Sequence, residues 1–272
     1  MRLTTVHTPE GPQLAVRDGA VLRAAAPVGV TLIDLLRSGT SPTPDGAVVE
    51  GTPTAELAPL APGKIVAIGL NYLDHIRESQ MAVPAAPLIF TKFTTSVIGD
   101  GAAIEIDPDL TARVDWEVEL AVVIGRTARR VSVEDALDHA FGYTVANDVS
   151  ARDLQFGDGQ WVRGKSLDTF CPLGPDVVTA DEIGDPQDLA LSTRVNGVAV
   201  QESSTAEMVF SVAQIIAYCS QSFTLEPGDV ILTGTPWGCG EFMTPPQHLH
   251  DGDVVVCEIE RVGTLTNPVV HV

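Results

Sequence analysis

The sequence is poor in basic residues and in long apolar runs, and both shortages exclude classes of partner. Only 16 Lys and Arg residues stand against 36 Asp and Glu residues, which leaves a formal net charge of −20. A surface this acidic repels nucleic acid and anionic membranes, so we expect neither as a partner. No apolar run approaches the roughly 20 residues of a transmembrane helix, and the first residues lack the apolar segment of a signal peptide.

Cysteines and aromatic residues are also few. The cysteines, Cys171, Cys219, Cys239 and Cys257, are widely spaced and form neither a CxxC pair nor a compact zinc pattern. We therefore expect reduced thiols and a cytoplasmic location. Aromatic residues make up 5% of the chain, whereas 24 Gly and 19 Pro are typical of a fold with many turns and strands.

Proline and glycine concentrate in residues 41–64, which contain five prolines and three glycines. This stretch predicts a linker. A small N-terminal domain and the linker would cover residues 1–62, and a larger second domain residues 63–272. Strand and helix patterns do not alternate regularly along the chain. The predicted fold class is therefore α+β and strand-rich, and not a doubly wound parallel sheet.

Local patterns predict individual turns and helices. Asp18-Gly19 and Asn196-Gly197 are typical of hairpin turns. Apolar spacing and capping residues predict helices over 31–37, 74–80, 132–142 and 204–220.

The stretch 114–125, VDWEVELAVVIG, predicts a β-strand that carries two glutamates. Side chains two apart on a strand share a face, so Glu117 and Glu119 point the same way as Asp115. The apolar residues between them point the other way. Because a buried carboxylate is costly without a partner, we expect a cation over the acidic face. The alternative is a half-exposed strand whose carboxylates are solvated.

Asp148 ends a further apolar strand, in the sequence NDVSARD. Together with Glu117 and Glu119 it would complete a site of three carboxylates. An all-oxygen site of this kind selects Mg²⁺ or Mn²⁺ before Zn²⁺, and leaves positions open for water or substrate oxygens. The alternative for Asp148 is a cap or turn former at a strand end.

His75 and Glu78 are spaced i, i+3 in a predicted helix and so share one of its faces. A carboxylate bonded to one imidazole nitrogen fixes the tautomer, and the other nitrogen can then take a proton from water. The alternative is a surface pair that contributes little.

Two loops could contact an anionic substrate. Residues 159–166 match GxxxxGK[ST], but no apolar strand precedes them and Pro172 soon follows, so we reject a nucleotide-binding P-loop. Lys165 remains a cation that could reach a substrate, unless it is a solvated surface lysine. Gly234 and Thr235 lie in a Gly-rich loop whose N–H and hydroxyl groups could hold a carboxylate, unless it is a plain tight turn.

Five stretches occur in the order found in the fumarylacetoacetate hydrolase family, which the chain resembles from about Lys64 to the C-terminus. They are GLNYLDHIRE, VDWEVELAVVIG, GYTVANDVSARDLQ, GKSLDTFCPLGP and ILTGTPWGCG. The resemblance is to bacterial members of the 2-hydroxyhepta-2,4-diene-1,7-dioate isomerase and acylpyruvate hydrolase type. It implies the family's mixed β-sandwich roll and a homodimer. One departure is Cys239, which stands where valine is common.

The resemblance also implies roles for individual residues. Glu117, Glu119 and Asp148 would be the ligands of Mg²⁺ or Mn²⁺, and His75 with Glu78 would activate water from a mobile lid. The matching substrate contacts are Arg152, Gln155, Lys165, Thr235 and the Gly234 loop.

The implied activity is hydrolysis of a C–C bond in a 2,4-dioxo acid of the acylpyruvate or fumarylpyruvate type. Water would attack the 4-carbonyl, and a metal-stabilised enolate would form as the C–C bond breaks, with Lys165 sharing its charge. The family also contains enol–keto isomerases and decarboxylases acting on 2-hydroxyhepta-2,4-diene-1,7-dioate or oxaloacetate-like substrates. A non-catalytic, metal-stabilised protein is the alternative from a different class.

Overall fold

The structure is a computed structural model that describes residues 1–49 and 56–272; residues 50–55 of the predicted linker lie outside the described residues. The helices are α1 (Leu32–Ser38), α2 (Leu73–Ser79), α3 (Arg152–Gly157), α4 (Val162–Lys165), α5 (Ala180–Ile183) and α6 (Val212–Ser222). Short 3₁₀ turns cover Thr94–Ser96, Ala136–His139, Thr205–Glu207 and Gly240–Phe242. No helix among the described residues is long and apolar enough to span a bilayer.

Strands dominate the described chain, which confirms the strand-rich α+β class. They are β1 (Arg2–Thr8), β2 (Gly11–Asp18), β3 (Val21–Ala24), β4 (Glu56–Leu57), β5 (Ile65–Gly69), β6 (Leu88–Lys92), β7 (Val97–Ile98), β8 (Ile104–Ile106), β9 (Val114–Asp115), β10 (Val118–Ile124), β11 (Ala140–Asn147), β12 (Ser150–Ala151), β13 (Cys171–Thr179), β14 (Ala190–Val195), β15 (Val198–Ser204), β16 (Val230–Leu232), β17 (Val254–Ile259) and β18 (Gly263–His271).

Two large sheets and one small one account for the strand pairing of the described residues. The larger sheet runs in the order β3-β2-β1-β13-β11-β10-β16-β5-β6, with β4 paired to β1 and β7 to β13. The second runs in the order β15-β14-β17-β18-β8, and β12 pairs with β9 separately. Pairing is mainly antiparallel, but β16 with β5, β13 with β7, and β18 with β8 are parallel.

Strand β10 is buried on both faces and separates two parts of the core. Val118, Leu120 and Val122 belong to a cluster that includes the inner residues of α6 and of the second sheet. Ala121 and Val123 belong to another cluster, which includes the apolar side of α1. This alternation is the predicted one, since side chains two apart share a face.

The stretch 114–125 is not one strand, however. It divides into β9 and β10, which pair with different strands, and residues 116 and 117 lie between them. The Glu117 N–H donates to the side-chain oxygen of Asn147, and the Asp148 N–H donates to the Glu117 carbonyl. Side-chain and loop bonds therefore replace the sheet ladder where the first glutamate sits.

The N-terminal strands are part of the larger sheet, because β1 pairs with β13. Helix α1 begins after Thr31, whose hydroxyl forms a capping box with Asp34. The two hairpins predicted at Asp18 and Asn196 join β2 to β3 and β14 to β15. The proposed division at residue 62 stays a prediction.

Two helix predictions were wrong in extent. The stretch 132–142 holds only the 3₁₀ turn Ala136–His139, because β11 begins at Ala140 and pairs with β10. Helix α6 begins after Ser211, which forms a capping box with Gln214, and not after Ser204. The Ser204 hydroxyl caps a separate 3₁₀ turn. Sheet pairing thus overrides a local capping signal.

Candidate active site

Three carboxylates meet at one end of strands β10 and β11. The antiparallel register places Val118 opposite Asn147, so the residues just beyond this pair, Glu117 and Asp148, lie side by side. Oxygens of Glu117, Glu119 and Asp148 all lie within 4.8 Å of one another. Only 5%, 1% and 0% of these residues is exposed. This burial excludes the alternative of a solvated acidic face.

Lysine side chains lie directly on this carboxylate cluster. Lys165 Nζ is 2.7 Å from Glu117 Oε2 and 2.7 Å from Asp148 Oδ2. Lys92 Nζ is 2.5 Å from Asp148 Oδ1 and also donates to the Val149 carbonyl. The expected cation over the acidic face is therefore present, and Lys165 is buried and not a solvated surface lysine.

Arg152, the first residue of α3, joins the cluster to its supporting residues. Its Nη2 lies 2.6 Å from Glu117 Oε1 and 2.7 Å from Asp115 Oδ2, and its Nη1 donates to Gln155 Oε1. Asp115 in turn accepts from the backbone N–H groups of Gly240 and Glu241. Arg152 is thus held on two sides by buried acids, with little freedom to move.

The charges of the cluster leave room for a divalent cation. In the part of the chain that the structure describes, Glu119 takes part in no ion pair, although its Oε2 accepts from the Gly234 N–H at 2.6 Å. The acidic side chains exceed the basic ones by one; they are Asp115, Glu117, Glu119 and Asp148 against Lys92, Arg152 and Lys165. A buried excess of carboxylate in an all-oxygen donor set fits Mg²⁺ or Mn²⁺.

The pKa values of the two glutamates diverge for a physical reason. Burial would raise the pKa of Glu117, but Lys165 and Arg152 outweigh burial and lower it to about 2. Burial raises the pKa of Glu119, and the nearby charges of Asp148 and Glu117 raise it further. Glu119 is therefore the carboxylate that most lacks a positive partner.

The predicted pair of His75 and Glu78 forms on helix α2. His75 Nδ1 lies 3.2 Å from Glu78 Oε2, and Glu78 Oε1 accepts from the Gly238 N–H at 2.9 Å. His75 is 7% exposed, so it is not a solvated surface residue. The Phe242 ring meets the imidazole edge to face, with centroids 5.4 Å apart. The second carboxylate oxygen of Glu78 thus fixes the pair to the loop that follows β16.

A cavity collects most of the predicted residues. It is lined by His75, Glu117, Glu119, Arg152, Gln155, Lys165 and Thr235, with an apolar wall that includes Met81, Phe90, Phe156, Trp161 and Phe242. Thr235 Oγ1 accepts from Gln201 Nε2 at 3.0 Å, so its hydroxyl hydrogen remains available to a ligand. The Gly234 N–H is already bonded to Glu119, and this leaves Gly234 as a support for Glu119 in this structure.

The loop 159–166 does not have P-loop structure. Lys165 is the last residue of α4, whereas a P-loop lysine begins a helix, and strand β13 follows at Cys171. The lysine points to carboxylates instead of an open phosphate cradle.

Some residues of the site were missed in the sequence. Lys92 was not singled out, although a lysine in an apolar strand needs a buried partner just as a glutamate does. Gln201 carries no motif: its side chain accepts from the Val118 N–H and donates to Thr235, which ties β10 to the threonine loop. Only the sheet pairing brings these residues together.

Residues 64–270 match the C-terminal domain of fumarylacetoacetate (FAA) hydrolase. The chain belongs to the fumarylacetoacetate hydrolase family. This is a family of enzymes, and the resemblance seen in the sequence is confirmed.

Relatives of the chain within the family include tautomerases. A mitochondrial oxaloacetate tautomerase of Xenopus laevis is 52% identical over 217 residues, which span 79% of this chain and 68% of that protein. A human mitochondrial oxaloacetate tautomerase is 50% identical over 217 residues, 79% of this chain and 69% of that protein. Since these relatives are mitochondrial, the cytoplasmic location that we expected is contradicted.

Solved structures of family members superpose on the whole chain. A fumarylacetoacetate hydrolase from Exiguobacterium antarcticum has a TM-score of 0.92 and 40% identity, with 100% of both chains covered. A 2-hydroxyhepta-2,4-diene-1,7-dioate isomerase from Mycobacterium marinum has a TM-score of 0.83 and 39% identity, covering 100% of this chain and 98% of that one. The family's fold, predicted as a mixed β-sandwich roll, is thereby confirmed.

Proposed function

We propose that the protein is a divalent-metal-dependent enol–keto tautomerase of a short 2-oxo acid of the oxaloacetate type. The observation that carries this proposal is the buried cluster of Glu117, Glu119 and Asp148, whose two glutamates line a cavity together with His75 and Lys165. The identity of about half with oxaloacetate tautomerases supports the choice of reaction over hydrolysis, which the sequence motifs had suggested first.

Glu117, Glu119 and Asp148 would hold Mg²⁺ or Mn²⁺. Bound there, such an ion would supply a Lewis acid for the 2-oxo group of the substrate and so favour the enolate. A divalent charge would also turn the excess of one negative charge into an excess of one positive charge, so the cavity would attract an anionic substrate despite the acidic surface.

The side chains around the cavity have separate roles in this proposal. Arg152 and the Thr235 hydroxyl bind the carboxylates of the substrate. Lys165 is held by two acids, and its ammonium group stabilises negative charge on the substrate oxygen. Gln155 fixes the guanidinium of Arg152.

His75 moves the proton between carbon and oxygen. When Nδ1 carries a hydrogen, the Glu78 carboxylate accepts it and holds the ring in that tautomer. Nε2 then has the lone pair that can take a proton from C3 of the keto acid and deliver it to the oxygen on C2, and the reverse reaction carries the proton from that oxygen back to C3. Tautomerisation requires no water, and the apolar wall of the cavity is suited to exclude it.

The pair of His75 and Glu78 also supports a second candidate, hydrolysis of an acylpyruvate. The same Nε2 lone pair could take a proton from water, and attack at a 4-carbonyl would release pyruvate and a carboxylic acid. Decarboxylation of oxaloacetate uses the same enolate and differs by loss of CO₂. The three reactions therefore differ in substrate and products, and not in the cluster of carboxylates.

One product analysis separates these reactions. We propose NMR of oxaloacetate, a hydroxymuconate-type dienol and a panel of acylpyruvates, each incubated with the protein and Mg²⁺ or Mn²⁺. We expect faster enol–keto exchange of oxaloacetate without loss of carbon. Pyruvate formed from an acylpyruvate would support hydrolysis, and no change in any substrate would favour a metal-stabilised protein without turnover.

A homodimer is a further part of the proposal. It follows from the resemblance to the family, and light scattering of the full chain tests it. A mass of one chain at micromolar concentration would contradict it.

A further inference from the structure

A second cluster of potential metal ligands lies beside the carboxylate cluster. His75 Nδ1 is 3.2 Å from Glu78 Oε2 and 3.8 Å from Cys239 Sγ. The ligand atoms of all three residues lie within 4.8 Å of one another. His75 and Glu78 come from α2, whereas Cys239 immediately precedes the 3₁₀ turn Gly240–Phe242. The three side chains thus converge from two segments.

The distances fit a tetrahedral zinc ion. Zinc bonds to nitrogen and oxygen at about 2.1 Å and to sulfur at about 2.3 Å. In a tetrahedron these bonds separate nitrogen from sulfur by roughly 3.6 Å and nitrogen from oxygen by roughly 3.4 Å. The observed 3.8 Å and 3.2 Å differ from these edges by a few tenths of an ångström. The third edge, between Cys239 Sγ and a Glu78 oxygen, is within 4.8 Å and would shorten to roughly 3.6 Å on binding.

The donor atoms differ in kind from those of the carboxylate cluster. Glu117, Glu119 and Asp148 offer only oxygen and suit a hard ion, whereas imidazole with thiolate suits a softer ion. Three protein ligands with a fourth position open to water is an arrangement that zinc adopts. The two clusters should therefore select different metals.

An ion would approach the second cluster from the side of His75 and Glu78, because Cys239 itself is buried. His75 lines the cavity, and 16% of the Glu78 side chain is exposed. Burial, with Glu117 and Asp115 nearby, raises the pKa of the Cys239 thiol, so the free thiol is protonated and binding must release that proton to solvent. Coordination to a divalent ion deprotonates a thiol.

We propose that His75, Glu78 and Cys239 form a second metal site, selective for Zn²⁺ over Mg²⁺, whose occupation separates His75 from Glu78. An ion bonded to Nδ1 removes the hydrogen bond that orients the imidazole and makes the ring a weaker base. Zn²⁺ at low concentration would then inhibit turnover even when Mg²⁺ saturates the carboxylate cluster. The binding is independent of the proposed function, whereas the inhibition rests on it.

The test uses the full chain, saturated with Mg²⁺ and titrated with Co²⁺ as a spectroscopic probe for Zn²⁺. We expect a sulfur-to-cobalt charge-transfer band in the near ultraviolet for the natural protein and for Glu119→Gln. The band should be absent from Cys239→Val and from His75→Ala. Cys219→Val, which removes another buried thiol, is the matched control and should keep it.

Zn²⁺ affinity, measured by calorimetry in the same Mg²⁺ buffer, should fall in Cys239→Val by at least the 10–100-fold that is typical when residues supporting a metal site are changed. No cobalt band in the natural protein would overturn the proposal. So would equal Zn²⁺ affinity in the natural protein and Cys239→Val, since the zinc would then occupy only the carboxylate cluster. Both measurements report metal binding and require no turnover, so they can succeed or fail independently of the proposed function.

Discussion

The Lys165 ammonium lies 2.7 Å from Asp148 Oδ2 and the same distance from Glu117 Oε2, between two of the carboxylates that would bind a metal. Among the described residues, Glu119, the third carboxylate, has no such partner. The ammonium and the metal therefore neutralise overlapping parts of one buried cluster. The stability that Lys165 contributes can therefore be compared with the stability that a bound metal ion contributes.

Replacing Lys165 by methionine should destabilise the metal-free protein and increase its stabilisation by Mg²⁺. Removing one partner of a buried ion pair costs at most about 3–5 kcal/mol. Glu117 and Asp148 would lose the counter-charge that they share and keep only Arg152 and Lys92 respectively. Added Mg²⁺ can restore it. Thermal unfolding with EDTA and with Mg²⁺ measures both effects.

The matched control is Lys64→Met, since Lys64 pairs with Asp229 away from the cluster and is partly exposed. Its unfolding temperature should shift by the same amount on addition of Mg²⁺ as that of the natural protein. An equal Mg²⁺ shift in Lys165→Met and the natural protein would contradict a shared role in neutralising the cluster.

Glu119→Gln should abolish the stabilisation by Mg²⁺ without weakening the metal-free fold. The amide keeps the shape of the side chain and can still accept from the Gly234 N–H. It also removes a carboxyl whose ionisation is opposed by burial, Asp148 and Glu117. We expect an unchanged or higher melting temperature in EDTA and at least a ~100-fold loss of turnover with Mg²⁺. Retained turnover would remove Glu119 from the metal site.

His75→Ala should lower the rate of enol–keto exchange by about 10²–10⁴-fold, the usual contribution of a general base. Glu78→Gln should have a smaller effect, because an amide can still hold the ring. Mg²⁺ stabilisation should persist in both variants, as neither residue belongs to the carboxylate cluster. If exchange survives in His75→Ala while hydrolysis of an acylpyruvate is lost, His75 is the base that activates water. Another group must then transfer the proton in enol–keto exchange.

The residues of the site were readable from the sequence to different degrees. Glu117 and Glu119 were apparent because glutamates in an apolar strand break its pattern, and Asp148 because it ends another such strand. Their meeting point depends on the register that pairs Val118 with Asn147. Register is set by long-range pairing, which spacing along one strand does not contain.

Capping signals were the least reliable guide to the fold. Ser132 and Asp135 do form the bond that a capping box requires, with the Asp135 N–H donating to the Ser132 hydroxyl. No α-helix follows: the 3₁₀ turn Ala136–His139 begins after Asp135, which makes no side-chain cap bond, and the residues after the turn join the sheet as β11. Thr31, where no strand competes, starts a helix as predicted. Local chemistry decides whether the first turn forms, and tertiary pairing decides how far the helix continues.

Asp153→Asn should lower stability at neutral pH, and the loss should shrink in acid. Asp153 accepts from the Thr111 hydroxyl and the Ala112 N–H, which fixes the start of α3 to the segment before β9. Burial is the largest single influence and raises the pKa of Asp153, but the hydrogen bonds together outweigh it and hold the pKa below the ordinary 3.8. A depressed carboxyl pKa stabilises the fold above the unfolded-state value and ceases to do so as pH falls through the folded-state value.

Urea unfolding of both proteins between pH 3 and pH 8 measures this difference. We expect it to be constant above about pH 5 and to decline below about pH 4. If the difference in the free energy of unfolding is the same over the whole pH range, the asparagine destabilises the protein through packing and not through the lost charge.

Gly164→Ala should disturb the site through the contact between α3 and α4. A Cβ on Gly164 would lie 2.6 Å from the Gln155 nitrogen and 2.7 Å from the Ala151 carbonyl oxygen, both backbone atoms. The two helices must therefore separate, and they carry Arg152 and Lys165 respectively. Overpacking of this kind costs about 1–3 kcal/mol.

Gly157→Ala is the matched control, because a Cβ there meets no described atom within 4 Å. We expect Gly164→Ala to lose both stability and turnover while Gly157→Ala keeps both, as measured by urea unfolding and by enol–keto exchange. Full turnover in Gly164→Ala would show that Arg152 and Lys165 tolerate the displacement and that their positions are less constrained than their buried ion pairs imply.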